Sequence, residues 1–410
     1  MLRNLLSLPM RYKPWRLQHL RLITADLAGA AKQPVYDHGI HLRAAIDWLC
    51  RAQDLRDRQP DAGGVAAGWS FEDSWLPSYP ETSGYIVETF LAASRVLGRQ
   101  ELVGRAARIL DWELSIQNAD GSFPGHFGEA GSRPVIFNTG QIMHGMVAGH
   151  QELARGECLE AAVKAGYWML DQQDADGCWR RSVHNGIPHT YNTRAAWALL
   201  RAGLLSGERK LVEGATRNME WALSQVTQSG WFQQNAFKSH EAPFTHTIAY
   251  AMRGLLEGGV LAEQPRFIDA TATAARALAT AQREDGWIAG AFEDEWRPVG
   301  GYSCLTGVAQ IGLNWQRLRQ LGVEGDWQRY IDRAVMFVKS TQRLEGKVKD
   351  PTLGGIAGST PIWGRYSRFE YPNWAAKFFA DLLLMEMSDE IVPPVVNSGA
   401  ETFGAQVSDA

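Results

Sequence analysis

The sequence predicts an all-α, single-domain (α/α)6 toroid, a closed ring of six helical hairpins. Three observations carry that prediction. A glutamine recurs at Gln53, Gln117, Gln172, Gln225, Gln282 and Gln342, set in Gly-rich text such as IQNADGSF, DQQDADGCW, SQVTQSGWF and AQREDGW. The stretch after each such loop is rich in Ala, Gly and Leu nearly all round, whereas the stretch before it alternates charged and apolar residues at helical spacing. Helices apolar all round are buried and amphipathic ones form an outer shell. Neither end of the array reads as the polar capping repeat that an open solenoid needs, so the array closes on itself.

Taken in order, residues 1–35 form a basic amphipathic strap, 36–388 the toroid, and 389–410 a loose tail rich in Pro, Gly, Ser and acidic residues. The strap, MLRNLLSLPMRYKPWRLQHLRL, has an apolar run broken by Pro9, too short for a signal segment. Its basic residues interleaved with Leu and Met suit packing on the domain, or a peripheral contact with an acidic membrane. The outer helices are typified by ELVGRAARILDWELSIQ. The inner ones are PETSGYIVETFLAAS, FNTGQIMHGMVAGH, TYNTRAAWALLRAG, FTHTIAYAMRGLLEGG, SCLTGVAQIGLNW and YPNWAAKFFADLLLMEM. Each opens on Thr, Ser, Asn or Pro, residues of the N-cap and first turn, so Thr82, Thr139 and Thr193 are expected as N-caps. His144, inside the stretch QIMHGM, is expected as a satisfied core histidine. The repeat glutamines are expected to bond loop backbone, and the Trp after each Gly to pack the corner.

Composition narrows the function. A net charge of -4 with 45% hydrophobic residues carries no nucleic-acid footprint. The four cysteines, Cys50, Cys158, Cys178 and Cys304, lack the spacing of a zinc site or a disulfide scaffold, which points to reduced thiols in a cytoplasmic protein with no metal or cofactor. No apolar run reaches the roughly 20 residues of a spanning helix. Sixteen tryptophans are many for 410 residues, and their faces suit sugar rings as well as cores.

The pattern Gln173-Asp174-Ala175-Asp176-Gly177-Cys178-Trp179, with its shorter form from Gln282 to Trp287, resembles the QW-type repeats of terpenoid cyclases and of protein prenyltransferase toroids. Similar corners occur in α/α-toroid glycoside hydrolases and polysaccharide lyases. The stretch GGIAGSTPIWGRYSRFEYPNWAAKFF resembles bacterial prenyltransferase-repeat proteins of exopolysaccharide gene clusters. The acidic D-x-D-D-type proton donor that the cyclase resemblance implies does not occur. The zinc set that the prenyltransferase resemblance implies needs a His after Cys304, and the last His is His246. A cyclase cavity is also expected to be aromatic and apolar, and this one to be polar.

In such a toroid the loops entering the inner helices surround one mouth of the central cavity. Those positions carry Trp75, Tyr79, Glu81, Asn138, His189, Tyr191, Asn192, Arg194, His246, Trp296, Tyr302, Trp363, Arg365, Arg368, Tyr371, Asn373 and Trp374, a set suited to a polyhydroxylated ligand. The motif Phe-Glu-Asp-x-Trp occurs twice, at Phe71 to Trp75 and Phe292 to Trp296. Because only two repeats contain it, Asp73 and Asp294, with Glu370, are expected to gather at the mouth as acid and base. Paired carboxylates suit glycosidic hydrolysis, so the expectation is a glycoside hydrolase acting on a bacterial polysaccharide or a lipid-linked oligosaccharide at the inner membrane face. Arg365 and Arg368, shaped to recognise a uronic carboxylate, keep a lyase or C5-epimerase open. A terpenoid cyclase or a non-catalytic glycan binder also stays open.

Overall fold

The computed structural model describes residues 10–27, 33–127, 131–347 and 349–388. A short helix, α1 (Leu17–Leu27), precedes twelve that alternate between two shells. The outer shell is α2 (His38–Asp54), α4 (Glu101–Ile116), α6 (Gly156–Gln172), α8 (Arg209–Ser224), α10 (Pro265–Ala281) and α12 (Trp327–Lys339). The inner shell is α3 (Pro80–Leu97), α5 (Ile136–Leu153), α7 (Thr193–Ser206), α9 (Thr245–Leu261), α11 (Leu305–Gln320) and α13 (Asn373–Met387). Each inner helix packs on the next and α13 packs on α3, so the ring is closed. Burial follows the sequence pattern: α3 is buried without a break from Pro80 to Ala93, whereas α4 buries only the stripe of Leu102, Ala106, Ile109, Leu110, Trp112 and Glu113.

The packing unit is shifted by one helix from the expected one. Each inner helix lies mainly against the outer helix that follows it, across a tight turn, and α13 lies against α2. The outer-to-inner connections are therefore the long ones, and they build the mouth. Closure is made by residues distant in sequence: Gln342 Nε2 donates to His41 O of α2, at 3.2 Å, and to Gly354 O at 2.8 Å. The same clasp ties Gln53 to Arg105 O, Gln117 to Ala161 O and Gln282 to Tyr330 O on the next outer helix. In the third repeat Gln173, not Gln172, reaches Gly214 O, and in the fourth Gln225 bonds Ser224 Oγ instead. Gly354, with φ at +83°, sits so close to Ala44 of α2 that a Cβ would strike its carbonyl.

The expected N-caps are not formed by Thr82, Thr139 or Thr193. Thr82 Oγ1 bonds Tyr79 O, Thr139 Oγ1 accepts from Phe123 N, and Thr193 Oγ1 donates to Ala251 O of the neighbouring inner helix. Only for Thr193 is the partner a carbonyl of a closely packed inner helix; Thr82 turns back to the carbonyl just before its own helix, and Thr139 receives a loop N–H. Cys304 does cap α11, its sulfur accepting from Gly307 N at 3.3 Å. That role, with burial pushing its thiol up to about 12, accounts for a cysteine at a tempting zinc position.

Short strands edge the ring. β1 (Gly68–Ser70) pairs with β2 (Ser74–Trp75) and with β7 (Glu370–Pro372), β3 (Ala291–Glu293) with β4 (Arg297–Val299), and β5 (Ser303–Cys304) with β6 (Ser359–Thr360). The two Phe-Glu-Asp-x-Trp segments are the turns of the β1/β2 and β3/β4 hairpins. Phe71 and Phe292 are buried anchors, and Ser74, Glu295 and Trp296 take positive φ to reverse the chain. The expected tail 389–410 lies outside the described residues, as do 1–9 and 28–32 of the strap.

Candidate active site

The long connections enclose a cavity of about 770 Å³ at the mouth of the ring. Its wall is more aromatic than expected: Tyr79, Tyr85, Phe137, Tyr191, Phe237, Phe244, Tyr250, Tyr366 and Trp374 line it, with His126, His184 and His246, and Arg133 and Arg365. Glu81 is the one carboxylate on this wall among the described residues.

Glu81 enters from the first turn of α3, where Pro80 starts the helix. Its side chain is almost fully buried, and Tyr79 Oη donates to its Oε2 at 2.7 Å. Asn138 Nδ2 in turn donates to Tyr79 Oη at 3.3 Å. Burial in this aromatic wall pushes the Glu81 carboxyl up to about 7, against the opposing pull of the Tyr79 hydrogen bond and the Arg194 charge. Glu81 thus holds a proton close to neutral pH, the state a general acid needs.

The histidines are poised the opposite way. Burial lowers His246 to about 3 and His184 to about 4, so both rings are neutral at pH 7. His246 Nδ1 lies 2.8 Å from Gln310 Oε1, an acceptor, which assigns the proton to Nδ1 and leaves Nε2 to accept. His184 Nδ1 bonds Tyr191 Oη at 3.0 Å.

Beneath the cavity the lumen of the ring is charged. Arg194 donates from Nε to Gln141 Oε1 at 2.8 Å, and its guanidinium lies 5.2 to 6.0 Å from the ring centroids of Tyr85, Trp197, Tyr250 and Phe378. Deeper, Arg201 pairs with Glu88 at 2.6 Å and meets His144 Nδ1 at 2.9 Å, while His144 Nε2 bonds Arg194 O. Arg317 and Arg253 both reach Glu257 at 3.0 Å, and Lys377 pairs with Asp381. Five cations thus face three carboxylates below the floor, a surplus of positive charge under the site.

Six of the expected ligand-binding residues line the cavity: Tyr79, Glu81, Tyr191, His246, Arg365 and Trp374. Others stand behind it. His189 stacks on Tyr191 with centroids 4.4 Å apart, Asn192 is buried at the start of α7, and Asn373 bonds Ala66 O and Thr82 Oγ1. Tyr302 is buried with Cys304 and Tyr366, and Tyr371 packs on Trp69. Trp75 packs on Trp48, Trp296 donates to Ser229 O, Trp363 is half-buried against the core, and Arg368 is exposed away from the wall. The hydrophobic corners that close the repeats claim these rings.

The three expected acid/base carboxylates lie outside the cavity. Asp73 and Glu370 share the first corner, where Ser70 of β1 pairs with Glu370 of β7. Burial raises Glu370 to about 7, with Glu72 and Asp73 adding to the rise. Asp73 is exposed, its backbone N bonded to Ser70 Oγ. Asp294 is exposed on the second corner, beside Arg297 and a separate groove that Asn235 and Glu241 line. Sequence reasoning missed Tyr85 and Tyr250, although each stands one helical turn after a named residue, Glu81 and His246, on the same face. The loop residues His126, Arg133, His184, Phe237 and Phe244 carried no periodic signal.

A family model described as the squalene-hopene cyclase C-terminal domain matches residues 77–256, under half of the chain. No curated protein matches the chain by sequence. Among solved structures, the unsaturated glucuronyl hydrolase of Bacillus sp. GL1 is 14% identical with a TM-score of 0.62, covering 84% of this chain and 96% of that one. An unsaturated glucuronyl hydrolase specific for heparin gives 13% and 0.65, over 85% and 96%. A mutant of the Streptococcus agalactiae enzyme complexed with dGlcA-GalNAc6S gives 11% and 0.64, over 87% and 94%. At these identities the likeness defines the fold, and the chain is an (α/α)6 toroid.

Proposed function

We propose that this protein is a glycoside hydrolase that removes an acidic sugar from the end of an oligosaccharide, with Glu81 as proton donor. The observation that carries this reading is a single carboxyl group, protonated near neutral pH, on the wall of an otherwise aromatic and cationic cavity. Two-carboxylate hydrolysis needs a partner about 5 to 9.5 Å away, and the wall supplies none among the described residues. One acid suffices where the sugar is an enol ether, as in the unsaturated glucuronyl ligands named for the structural neighbours. Glu81 gives its proton to C4 of the C4=C5 double bond, and the ring oxygen shares the positive charge left at C5. Water adds at C5, losing its proton to neutral His246 or back to Glu81. The hemiketal then opens to a ketone at C5 and a hemiacetal at C1, and collapse of the hemiacetal to an aldehyde breaks the glycosidic bond and releases the second sugar. Arg133, Arg365 and the cationic lumen favour the uronate carboxylate.

Incubation with an unsaturated uronyl disaccharide tests this directly. The absorbance of the conjugated double bond falls with wild type and persists with Glu81→Gln. A wild type that leaves such substrates and saturated uronyl oligosaccharides intact ends the hydrolase reading. The family-model match and the aromatic wall favour terpenoid cyclisation as the second reading, because aromatic faces stabilise carbocations and a lone acid can start them. Conversion of an isoprenoid by the same protein would then decide. We also propose that the protein works against a membrane that it touches through its N-terminal strap, where a lipid-linked oligosaccharide would be presented.

A further inference from the structure

We infer that the outward face of α1 docks on an anionic lipid bilayer. The inference rests on the membrane reading above, and the face itself is the new observation. Helix α1 is anchored by one side only: His19 stacks on Phe71 at 4.0 Å, Leu22 is buried, and Asp26 accepts from Ile362 N. On the other side Leu17, Leu20 and Leu27 are 63%, 46% and 68% exposed, with Thr24 completing the stripe and Trp15, 60% exposed, just before it. A helix held to a domain by one face ordinarily turns polar groups outward. This one turns leucines.

The pattern is local. Eight of the twelve exposed large hydrophobic side chains of the described residues fall between Met10 and Ile40. The charge is local as well. Residues 1–27 hold five Lys or Arg and one Asp, a balance of +4, in a chain whose total is -4, so the remainder carries -8. Exposed Arg16 and Arg21 flank the leucine stripe. A second copy, with its -8 remainder, would meet the cations too, but the apolar stripe edged by an interfacial Trp and by cations matches an anionic bilayer surface. At 11 residues, α1 is too short to span a bilayer and lies along its surface.

Docking there has a consequence for the cavity. The segment under the strap is the one that forms the cavity lip: Tyr12 packs on Phe369 with centroids 4.6 Å apart and Asp26 holds Ile362, while Arg365, Tyr366 and Ser367 between them line the cavity. These contacts tie the strap to the lip, so docking holds the lip near the bilayer.

Flotation of the full-length protein with vesicles tests the inference. It is expected to float with phosphatidylcholine mixed with phosphatidylglycerol, to stay behind with phosphatidylcholine alone, and to dissociate as salt rises. Arg16→Gln with Arg21→Gln lowers binding about 25-fold, from roughly fivefold per charge. Leu17→Ser with Leu20→Ser lowers it about tenfold or more. No flotation, equal flotation with both lipids, or variants that bind like wild type overturn the inference. So does a dimer in sedimentation that the leucine variant dissociates. Turnover of a soluble disaccharide by the same variants, expected to equal wild type, also shows that they fold. Flotation without any turnover would break the hydrolase reading and leave the docking surface standing.

Discussion

Glu81, in the first turn of α3, and Asp294, on the connection that leads into α11, are both carboxylates near the start of an inner helix, yet their surroundings give them opposite chemistry. Glu81 is buried among tyrosines, held by Tyr79, and pushed up to about 7. Asp294 stands in solvent on a hairpin turn beside Arg297. Asp73, its repeat-mate, is exposed on the other turn. A repeated motif marked the second kind as acid and base, and the place of Glu81 at a helix start marked it only as a ligand-binding position. What equips a carboxyl group to donate a proton here is desolvation, which depends on the whole ring rather than on neighbours in sequence.

The sharpest way to break that contrast is Glu81→Gln. Loss of a general acid costs about 10² to 10⁴ in kcat, so hydrolysis of an unsaturated uronyl disaccharide should fall by that factor while the isosteric side chain keeps substrate binding, measured by calorimetry, near wild type. A fall of less than tenfold would show that the donor lies elsewhere. A pH profile refines the same test. Because the protonated form acts, kcat/KM is expected to be level below pH 7 and to fall about tenfold per unit above it. Tyr79→Phe removes a hydrogen bond that favours the charged carboxylate, so the alkaline limb should move upward by about one unit. A downward move would contradict the assigned direction of that bond.

Glu88 supplies a third case, a carboxylate buried completely but paired. Arg201 holds it at 2.6 Å in the lumen, and the Arg201 guanidinium also meets His144. Removing one partner of such a pair costs about 3 to 5 kcal/mol, so Arg201→Met should lower the midpoint of urea unfolding by that equivalent. A loss under 1 kcal/mol would mean that Glu88 simply takes up a proton at little cost.

Glu81 should instead weigh against stability. Its carboxyl titrates near 7 in the folded chain and near 4.3 when unfolded. Between those values the folded protein keeps a proton that the unfolded chain has released, so stability falls as pH rises through that window and levels off above it. A gap of about 2.7 units corresponds to roughly 3.5 kcal/mol at most. Glu81→Gln escapes this loss and should unfold at higher urea than wild type at pH 8 and at the same urea at pH 4. The substitution that costs the most activity is thus expected to stabilise.

The ring was legible in the sequence because its signals are periodic. Every inner helix stands where its run of Ala, Gly and Leu indicated, and the glutamines mark the outer-helix ends. The pairing of helices was less legible, since whether an inner helix rests on the outer one before or after it depends on turn length. The site was legible only at the first turns of the inner helices, such as Tyr79, Glu81 and His246. Its loop residues, including His184 and Phe244, come together through ring closure and leave no spacing to read. The cavity was expected to be polar because the helix starts are polar, but the aromatic rings one turn further in and on the loops outweigh them.

The smallest expected effect is the most telling about the repeated motif. In both copies the phenylalanine is the buried member, Phe71 at 1% and Phe292 at 0% exposed, while the acids that follow make the turn. Asp73→Asn and Asp294→Asn should therefore change turnover of a terminal disaccharide by less than about twofold, since exposed ion pairs contribute roughly 0 to 1 kcal/mol. Asp294 borders the groove that also holds Glu241, and Glu241 reaches Arg365 of the cavity wall at 3.6 Å. If Asp294→Asn raised KM for long oligosaccharides while leaving the disaccharide unchanged, the groove would be carrying the far end of the chain. Loss of kcat on the disaccharide itself would return Asp294 to the chemistry and undo the division between corner and cavity.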